Sequence, residues 1–546
     1  MAFDRLSALA SRAASAGWAT VKVAARVGIG PPLRPDRLLG VAQALRHWGM
    51  TPAAVCAANA VQDLDRPAVI DERESLGWAE LDCRSSIVAA ALAEQGVGVG
   101  MAVGLLARNS ADFVVAQIAV SKLGADLLYL NTGFAGPQLA DVLDRENAVA
   151  VIADDEFEPL LEEFAPSIPR LTAWVDDGTA PPGSIAALVL AAEGSEPPEL
   201  PAPGHDGRHV ILTSGTTGRP KGAARRAPNP LVGAIAAVAF LDAIPYRARR
   251  TTMLAAPAFH AWGLGNLIMA SLLQSTVVMT RRFDPATTLE LIARHDADTL
   301  VAVPVMCERL LEVDPRVGPP SLKVVAVSGS ALPPTLATRF MDRFGDVLYN
   351  LYGSTEVAFV SVAGPADLRA APTSAGRILR GVHLRLVDSD GHDVGAGEIG
   401  RVFAGSGLSF DGYTGDDVKP RLDGLAATGD LGRLGDDGRL YLEGRADDMI
   451  ITGGENVVPA EIENSLHLHP DVAEVAVVGI PDERFGQAVV AHVVLRPGGL
   501  ATESDLRAHV KARLATYKVP RTVVFRDRLP RNESGKIVKS ELSEPT

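Results

Sequence analysis

Cysteine is scarce in this chain: only Cys56, Cys83 and Cys307 occur among 546 residues, and they lie far apart. An odd number of widely spaced cysteines offers neither a disulfide framework nor a zinc-ligand pair. The sequence therefore excludes a disulfide-stapled secreted fold. It predicts a protein of a reducing compartment, the cytoplasm.

Long apolar runs and an excess of positive charge are missing as well. No apolar segment reaches the roughly 20 residues that cross a bilayer, and Arg5, Arg12 and Lys22 interrupt any signal-peptide core. The formal net charge of −14 argues against nucleic acid as a partner, because duplex binding needs a strongly basic face. With 47% hydrophobic and 22% charged residues, the composition is typical of a folded enzyme.

The charge is unevenly distributed along the chain. Residues 1–50 hold seven basic and two acidic side chains, a net charge of +5, so the remaining residues carry −19. On a helical wheel Arg5, Arg12, Lys22 and Arg26 fall within an arc of about 100°. This pattern fits a surface helix that covers the main body, or a frayed end. It also fits a basic segment, residues 1–30, bound to the inner face of an anionic membrane.

Alternating short apolar runs and helical stretches from about residue 52 predict βα units around parallel sheets. Between 380 and 443 short strands with Gly and Asp turns indicate a small antiparallel barrel or sheet, and a compact α+β region follows Arg445. We predict an α/β protein with a large N-terminal domain of two βα-layered sheets plus a small β-barrel, and a small α+β C-terminal domain. The predicted boundaries are an extension at 1–50 and domains at 51–445 and 446–546.

The stretch ILTSGTTGRPKG, residues 211–222, predicts an anion-binding loop. Its hydroxyls, its glycines and Lys221 suit phosphate, since glycine lets backbone N–H groups turn around an anion. The spacing differs from the common nucleotide loop, in which a Gly directly precedes the Lys. A flexible linker is the alternative for such a composition, but the apolar strand before it and the Pro-Lys-Gly after it disfavour that alternative.

Four later motifs contain further candidate ligands. In YGSTE (352–356), Glu356 suits Mg²⁺, which keeps most of its ligands as water and phosphate, and Tyr352 can lie against a purine. Asp430 of TGD can accept ribose hydroxyls, and Arg445 can bridge ribose and phosphate. The fourth motif, LPRNESGKI (529–537), carries Lys536. Taken singly, each has an ordinary alternative: a strand-end turn, a surface Gly-Asp turn or a solvated lysine.

In this order, the motifs TSGTTGRPKG, YGSTE, TGD, GR.DD…GGENV.P.EIE and PRNESGKI resemble the adenylate-forming superfamily. That superfamily comprises acyl- and aryl-CoA synthetases, nonribosomal peptide adenylation domains and firefly-type luciferases. The resemblance runs from about residue 50 to about residue 540. It implies an acid–thiol ligase that uses ATP, Mg²⁺ and coenzyme A: the acid first becomes an acyl-adenylate with release of pyrophosphate, and a thiol then displaces AMP.

The resemblance also implies roles for individual residues. Lys536 bridges the carboxylate and the α-phosphate, Thr355 contacts the α-phosphate and Glu356 holds Mg²⁺. His260, in APAFHAWGLG, gates the acyl pocket. The nucleotide is held by Thr213, Ser214, Gly215, Thr216, Thr217, Gly218, Lys221, Gly329, Ser330, Ala331, Tyr352, Gly353, Ser354, Asp430 and Arg445. The C-terminal domain rotates between the half-reactions about Asp447, and Gly454 meets the pantetheine tunnel.

The apolar segments of the sequence bear on which carboxylic acid is the substrate. LVGAIAAVAFL (231–241) and LGNLIMASLL (264–273) are apolar and rich in small residues, which favours a medium-to-long-chain fatty acid. An aryl or alicyclic acid is the runner-up, and transfer to a carrier protein is a further alternative. A nucleotide-binding paralogue without turnover is the non-enzyme alternative. Small molecules are the expected partners, and a homodimer stays open.

Overall fold

The structure, a computed structural model, describes residues 23, 25–28, 35–62, 66–214, 220–226, 229–314, 322–414, 418–452, 455–482, 485–532 and 535–542. Two compact units divide the chain. The first comprises residues 1–302, 313–326 and 407–418, and the second comprises residues 303–312, 327–406 and 419–546. The described parts of each unit are mixed α/β, as the sequence predicts.

The first unit contains helices α1 to α10 and most of the short parallel strands. Its helices are α1 Pro35–Trp48, α2 Pro52–Val61, α3 Trp78–Glu94, α4 Ala111–Lys122, α5 Gly136–Arg145, α6 Glu158–Phe164, α7 Ile185–Ala191, α8 Pro230–Ala243, α9 Ala261–Leu272 and α10 Pro285–Arg294. Its strands are β1 Val69–Ile70, β2 Ser75–Leu76, β3 Ala102–Leu106, β4 Asp126–Tyr129, β5 Ala148–Ala153, β6 Arg170–Thr172, β7 His209–Ser214, β8 Pro220–Arg225, β9 Thr251–Leu254, β10 Thr276–Met279, β11 Thr299–Ala302, β12 Val324–Val327 and β18 Gly412–Tyr413.

Two sheets organise the first unit. One has the strand order β18-β8-β7-β4-β3-β5-β6, and the other contributes the order β12-β11-β9-β10-β1-β2. Strands β3, β4, β9 and β11 are buried along their whole length, as strands of parallel sheets are when helices cover both faces. The sequence prediction of βα units around parallel sheets is confirmed.

The second unit holds the remaining elements. Its helices are α11 Pro304–Glu312, α12 Pro334–Phe344, α13 Pro365–Ala370, α14 Pro459–His467 and α15 Glu503–Lys511. Its strands are β13 Leu348–Ser354, β14 Ala358–Ala363, β15 Ser374–Ile378, β16 His383–Val387, β17 Gly400–Gly405, β19 Arg421–Leu422, β20 Leu425–Leu434, β21 Leu440–Arg445, β22 Ile450–Thr452, β23 Glu455–Val457, β24 Val472–Asp482, β25 Gly486–Leu495 and β26 Thr522–Phe525. Single 3₁₀ turns lie at Asp155–Phe157 in the first unit and at Thr516–Lys518 and Lys539–Leu542 in the second.

The strands of the second unit are mostly antiparallel. They follow the order β16-β17-β20-β21-β15-β14-β13, with β19 beside β20, so the antiparallel strands predicted for 380–443 are present. A separate sheet near the C-terminus has the order β23-β22-β25-β24, and β26 joins β25 in parallel. Its core of Val, Ile, Leu and Ala packs α14 and α15 against the strands. The domain boundaries at residues 50 and 445 stay predictions.

The N-terminal extension is described only from residue 23 onwards. Val23 and Val27 are buried, and Arg26 donates to the carbonyl oxygen of Leu241 and pairs with Asp242 at the end of α8. These residues therefore pack on the protein itself, as in the surface-helix alternative. Residues 1–22 lie outside the described ranges. Within those ranges no helix combines the length and the apolar character needed to cross a membrane.

Candidate active site

The predicted phosphate loop begins and ends on a β-hairpin of the first unit. Strands β7 and β8 are antiparallel, with Thr213 opposite Lys221 and Ser214 opposite Pro220. The Pro-Lys-Gly segment therefore forms part of a strand, where the sequence predicts only the end of the loop. Lys221 Nζ lies 5.6 Å from the ring centre of Tyr413. Residues 215–219, which include Gly215, Thr216, Thr217 and Gly218, lie outside the described ranges.

In the second unit, Glu356 occupies a buried turn after strand β13. Its backbone N–H donates to Ser354 Oγ at 3.3 Å, and Thr355 is half-buried beside it. Glu356 itself is only 8% exposed. Its carboxylate is 3.4 Å from Lys419 Nζ, in an ion pair that is largely shielded from solvent. The turn thus holds a charged carboxylate in place through a distant lysine.

A single buried carboxylate fits the requirements of Mg²⁺ at a nucleotide. This ion usually takes one or two protein carboxylates and completes its octahedron with water and phosphate oxygens. Glu356 provides such an oxygen donor in a protected position. Lys419, which contacts that carboxylate at 3.4 Å, would have to share it with such a cation.

Tyr352, Asp430 and Arg445 form a connected polar chain. The Tyr352 hydroxyl donates to Asp430 Oδ2 at 2.6 Å, and Arg445 Nη1 lies 3.3 Å from Asp430 Oδ1. The two charged residues face each other across strands β20 and β21. Burial and the adjacent Asp430 raise the pKa of Tyr352 well above its ordinary value, so the hydroxyl stays protonated and donating.

Arg445 is held between carboxylates. Burial alone lowers the pKa of Arg445, but Asp430, Asp447 and Asp448 together outweigh burial and raise it. Nη2 lies 3.4 Å from the exposed Asp447. Gly429, between Thr428 and Asp430, has φ +85°, and a Cβ there would lie 2.8 Å from Arg445 Nη2. The guanidinium therefore packs over a backbone position that only glycine fills without crowding.

Lys536 lies in the same group of residues. Its pKa is lowered, first by desolvation and then by Arg445, whereas Asp430 and Glu356 act in the opposite direction. These influences place the ammonium group within electrostatic reach of all three. The residue nonetheless keeps contact with solvent.

The other predicted residues have varied locations. Gly329, with φ +96°, begins the loop after β12, and Ser330 and Ala331 follow it. Gly353 belongs to β13. His260 is half-buried directly before α9 in the first unit, with its ring 4.5 Å from that of Phe259. Gly454 lies outside the described residues.

Some contacts at the site have no signal in the sequence. Lys419 reaches Glu356 over 63 residues of chain, and no local pattern singles out a lysine before Pro420. Thr428 Oγ1 accepts from the Asp430 N–H at 3.1 Å. Lys539 pairs with Asp448 and, at 2.8 Å, with Glu463. Asn532, which shapes the Lys536 turn, does have a signal, since asparagine often starts a turn by bonding backbone N–H groups.

Family models match most of the chain. One described as AMP-binding enzyme covers residues 56–414, and one described as AMP-binding enzyme C-terminal domain covers residues 461–536. The indoleacetate–CoA ligase of Aromatoleum aromaticum is 33% identical over 91% of this chain and 96% of its own length. The fatty acid–[acyl-carrier-protein] ligase ScoC of Streptomyces coeruleorubidus is 31% identical over 87% of this chain and 92% of its own length.

A solved structure has the same fold. The anthranilate CoA ligase AuaEII, in complex with anthranoyl-AMP, superposes with a TM-score of 0.81 at 26% identity, covering 90% of this chain and 96% of that one. The chain therefore belongs to the AMP-binding enzyme family, in the adenylate-forming superfamily, and is most similar to its acyl- and aryl-CoA ligases, which use ATP and coenzyme A.

Proposed function

We propose that this protein joins an apolar carboxylic acid to coenzyme A through an acyl-adenylate, with pyrophosphate and AMP as the other products. The observation that carries this proposal is the grouping of Glu356, Asp430, Arg445 and Lys536 within one compact unit. The two carboxylates of this set can accept ribose hydroxyls and hold a cation, and its two basic side chains can donate to phosphate oxygens. Family membership provides the reaction class.

In the first half-reaction, a carboxylate oxygen of the acid attacks the α-phosphorus of ATP and pyrophosphate leaves. Lys536 places its ammonium between the attacking carboxylate and the α-phosphoryl oxygens, where negative charge increases in the transition state. Losing one such donor typically costs about 3–4 kcal/mol in the activation barrier. Thr355 contacts the same phosphate, and residues 213–222 hold the departing pyrophosphate.

The nucleotide is fixed by the polar chain. Asp430 accepts the ribose hydroxyls while Tyr352 and Arg445 hold its carboxylate. The Tyr352 ring and the segment 329–331 contact the adenine. Gly353 and Ser354, which follow Tyr352, line the same part of the nucleotide site. Glu356 would hold Mg²⁺, which supplies charge neutralisation at the phosphates.

In the second half-reaction, the thiolate of coenzyme A attacks the acyl carbon and AMP leaves. We assign Asp447 to the hinge of the C-terminal domain, and Gly454 to the pantetheine path. His260 gates the acyl pocket. One pocket can thereby serve both steps, since a domain rotation replaces the first set of catalytic groups with the second.

For the acid, we favour an aromatic or alicyclic carboxylate. The names of two relatives, an indoleacetate–CoA ligase and an anthranilate CoA ligase, support this choice. A medium-to-long-chain fatty acid is the second candidate, supported by the apolar helix α8, which exposes Leu231 (69%) and Ile235 (50%), and by the fatty acid ligase relative. Discrimination between fatty acids that differ by one methylene will be weak, because each buried methylene contributes only about 0.8 kcal/mol.

The test is release of AMP and pyrophosphate with acids from acetate to long-chain fatty, aryl and alicyclic acids, each with and without coenzyme A. We expect wild-type turnover that requires coenzyme A and is greatest with aryl acids, and turnover that is lower by about a few hundredfold for Lys536→Ala. A maximum among fatty acids would support the second candidate. Pyrophosphate release without formation of a thioester would indicate another acceptor, such as a carrier protein. If no acid gives release of AMP or pyrophosphate, the proposal is overturned.

Residues 1–30 remain a proposed peripheral membrane contact, based on their positive charge. Sedimentation with anionic vesicles should be lost when residues 1–30 are deleted. No binding by the full chain at low salt would contradict it. A homodimer also remains a proposal, and light scattering at several protein concentrations tests it.

A further inference from the structure

The turn that carries Lys536 is closed by contacts at both of its ends. Arg531 and Ile537 form an antiparallel bridge, and the Asn532 N–H donates to the Lys536 carbonyl oxygen at 2.9 Å. In return, the Lys536 N–H donates to Asn532 Oδ1 at 3.0 Å. The backbone on which the lysine sits is thus fixed by its own neighbours.

Arg531 adds a longer-range connection to this turn. Its Nη1 donates to the carbonyl oxygen of Gly535 at 2.7 Å, directly before Lys536. Its Nη2 donates to Glu474 Oε2 at 2.6 Å. Glu474 lies on strand β24, opposite Val494 of β25 in the C-terminal sheet. One guanidinium therefore ties the lysine turn to a rigid sheet.

Close packing at Gly535 constrains the turn as well. Gly535 has φ +78°, and a Cβ there would lie 2.8 Å from Val305 Cγ1 and 3.4 Å from Val303 Cγ2. The turn therefore rests on the segment that begins helix α11, with no room for a side chain. The backbone that carries Lys536 is thus held both by the hydrogen bond from Arg531 and by close packing against these valines.

The ion pair of Arg531 and Glu474 is partly shielded from solvent, with 24% and 31% of the two side chains exposed. A guanidinium suits this position because its planar fork makes two directed contacts with less loss of side-chain freedom per hydrogen bond than an ammonium. Lysine, by contrast, is a flexible point charge. A catalytic lysine therefore depends on the placement of its backbone.

We propose that Arg531, held by Glu474, is a positioning residue that places Lys536 for the adenylate-forming half-reaction and has no part in thioester formation. This inference rests on the proposed function of Lys536. The two half-reactions separate the proposed role from general destabilisation. A variant that merely unfolds loses both, whereas a displaced lysine slows only the first.

The experiment uses the full-length chain with Arg531→Met. Adenylate formation is followed by pyrophosphate release in a single turnover, and thioester formation is followed from a chemically prepared acyl-adenylate and coenzyme A. We expect adenylate formation to fall about tenfold to a hundredfold, as displacement of a catalytic group by about 1 Å does. The rate of thioester formation should remain within about twofold of wild type, because this half-reaction does not depend on the position of Lys536.

A matched control removes another arginine–carboxylate pair that involves the same strand. Arg521 donates to Asp482 of β24 at 2.8 Å, away from the lysine turn in sequence and in contacts. Arg521→Met should leave both half-reactions close to wild type. Graded variants complete the set: Arg531→Lys, which keeps the charge but loses the fork, and Glu474→Gln, which keeps an acceptor but loses the charge, should lie between wild type and Arg531→Met.

Equal losses in both half-reactions, or no loss in adenylate formation, overturn the proposal. If Arg531→Met does not fold, Arg531→Lys and Glu474→Gln carry the same comparison, since both keep a polar contact. Failure of this inference differs from failure of the proposed function. In the first case wild type is active and Lys536→Ala is strongly impaired, while Arg531→Met is unimpaired or loses both half-reactions equally. In the second case wild type itself forms no adenylate.

Discussion

The hydroxyl of Tyr352 donates a 2.6 Å hydrogen bond to the carboxylate of Asp430, across 78 residues of chain. The sequence assigns these two residues to different parts of the nucleotide, the adenine and the ribose. The structure joins them, because the fold of the second unit brings Tyr352, near the end of strand β13, to Asp430 within strand β20. The orientation of Asp430, the proposed ribose acceptor, thus depends on Tyr352, the residue that we propose contacts the adenine.

Tyr352→Phe should therefore weaken ATP binding even though the aromatic ring is kept. A hydrogen bond to a charged group contributes about 1.5 kcal/mol or more, so the KM for ATP should rise about tenfold while kcat changes little. Initial rates of pyrophosphate release against ATP concentration provide the measurement. Tyr352→Ala, which also removes the ring, should be worse; an unchanged KM in Tyr352→Phe would show that the bond does not orient Asp430.

Lys419 is expected to compete with the cation at Glu356. Lys419→Met leaves the shielded carboxylate without its partner, so the free protein should lose about 1–3 kcal/mol of stability, between the values for exposed and buried pairs. Thermal unfolding should show a lower Tm without Mg²⁺ and a larger rise in Tm on adding Mg²⁺ and ATP.

The matched control for Lys419 is Lys323→Met, which removes an exposed lysine of the other unit. It should change neither the Tm nor its response to Mg²⁺ and ATP. A Tm response to Mg²⁺ and ATP that is the same in Lys419→Met and wild type would contradict the competition.

Gly429 should be required for the position of Arg445. Gly429→Ala imposes a left-handed backbone on a side-chain residue, at about 1–2 kcal/mol, and brings Cβ to 2.8 Å from Arg445 Nη2. We expect a lower Tm together with a higher KM for ATP. Gly438→Ala has a similar φ of +74° but an uncrowded Cβ, so it should lower the Tm without changing the KM. Equal kinetic effects in both would contradict the packing argument.

The pH dependence of adenylate formation should report Lys536. Its protonated form is the one required, so activity is present below its pKa and is lost as the pH rises through it. Since desolvation and Arg445 lower that pKa, the alkaline loss in kcat/KM, which reflects the free enzyme, should begin at a lower pH than for an ordinary lysine. Lys536→Arg stays charged throughout, so its residual activity should lack this decline. A persistent decline would assign the ionisation to another group.

Much of the fold and part of the site could be predicted from local patterns. Buried strands such as β3 and β9 appear in the sequence as short apolar runs, and the motif residues Glu356, Asp430, Arg445 and Lys536 stand next to glycine-bearing turns. Their partners could not be predicted. Lys419 and Glu474 reach the site from 63 and 57 residues away, and only tertiary folding brings such side chains together. Strand β8 could not be predicted either, because its proline and lysine are typical of a loop.

Activation of the acid as an adenylate is tested most directly with isotopically labelled acid. A carboxylic acid carrying ¹⁸O in both carboxylate oxygens is converted with ATP and coenzyme A, and the AMP is weighed by mass spectrometry. Attack of the carboxylate on the α-phosphorus predicts AMP that contains one ¹⁸O atom, with the second retained in the thioester. Unlabelled AMP, or ¹⁸O in inorganic phosphate instead, would contradict the account.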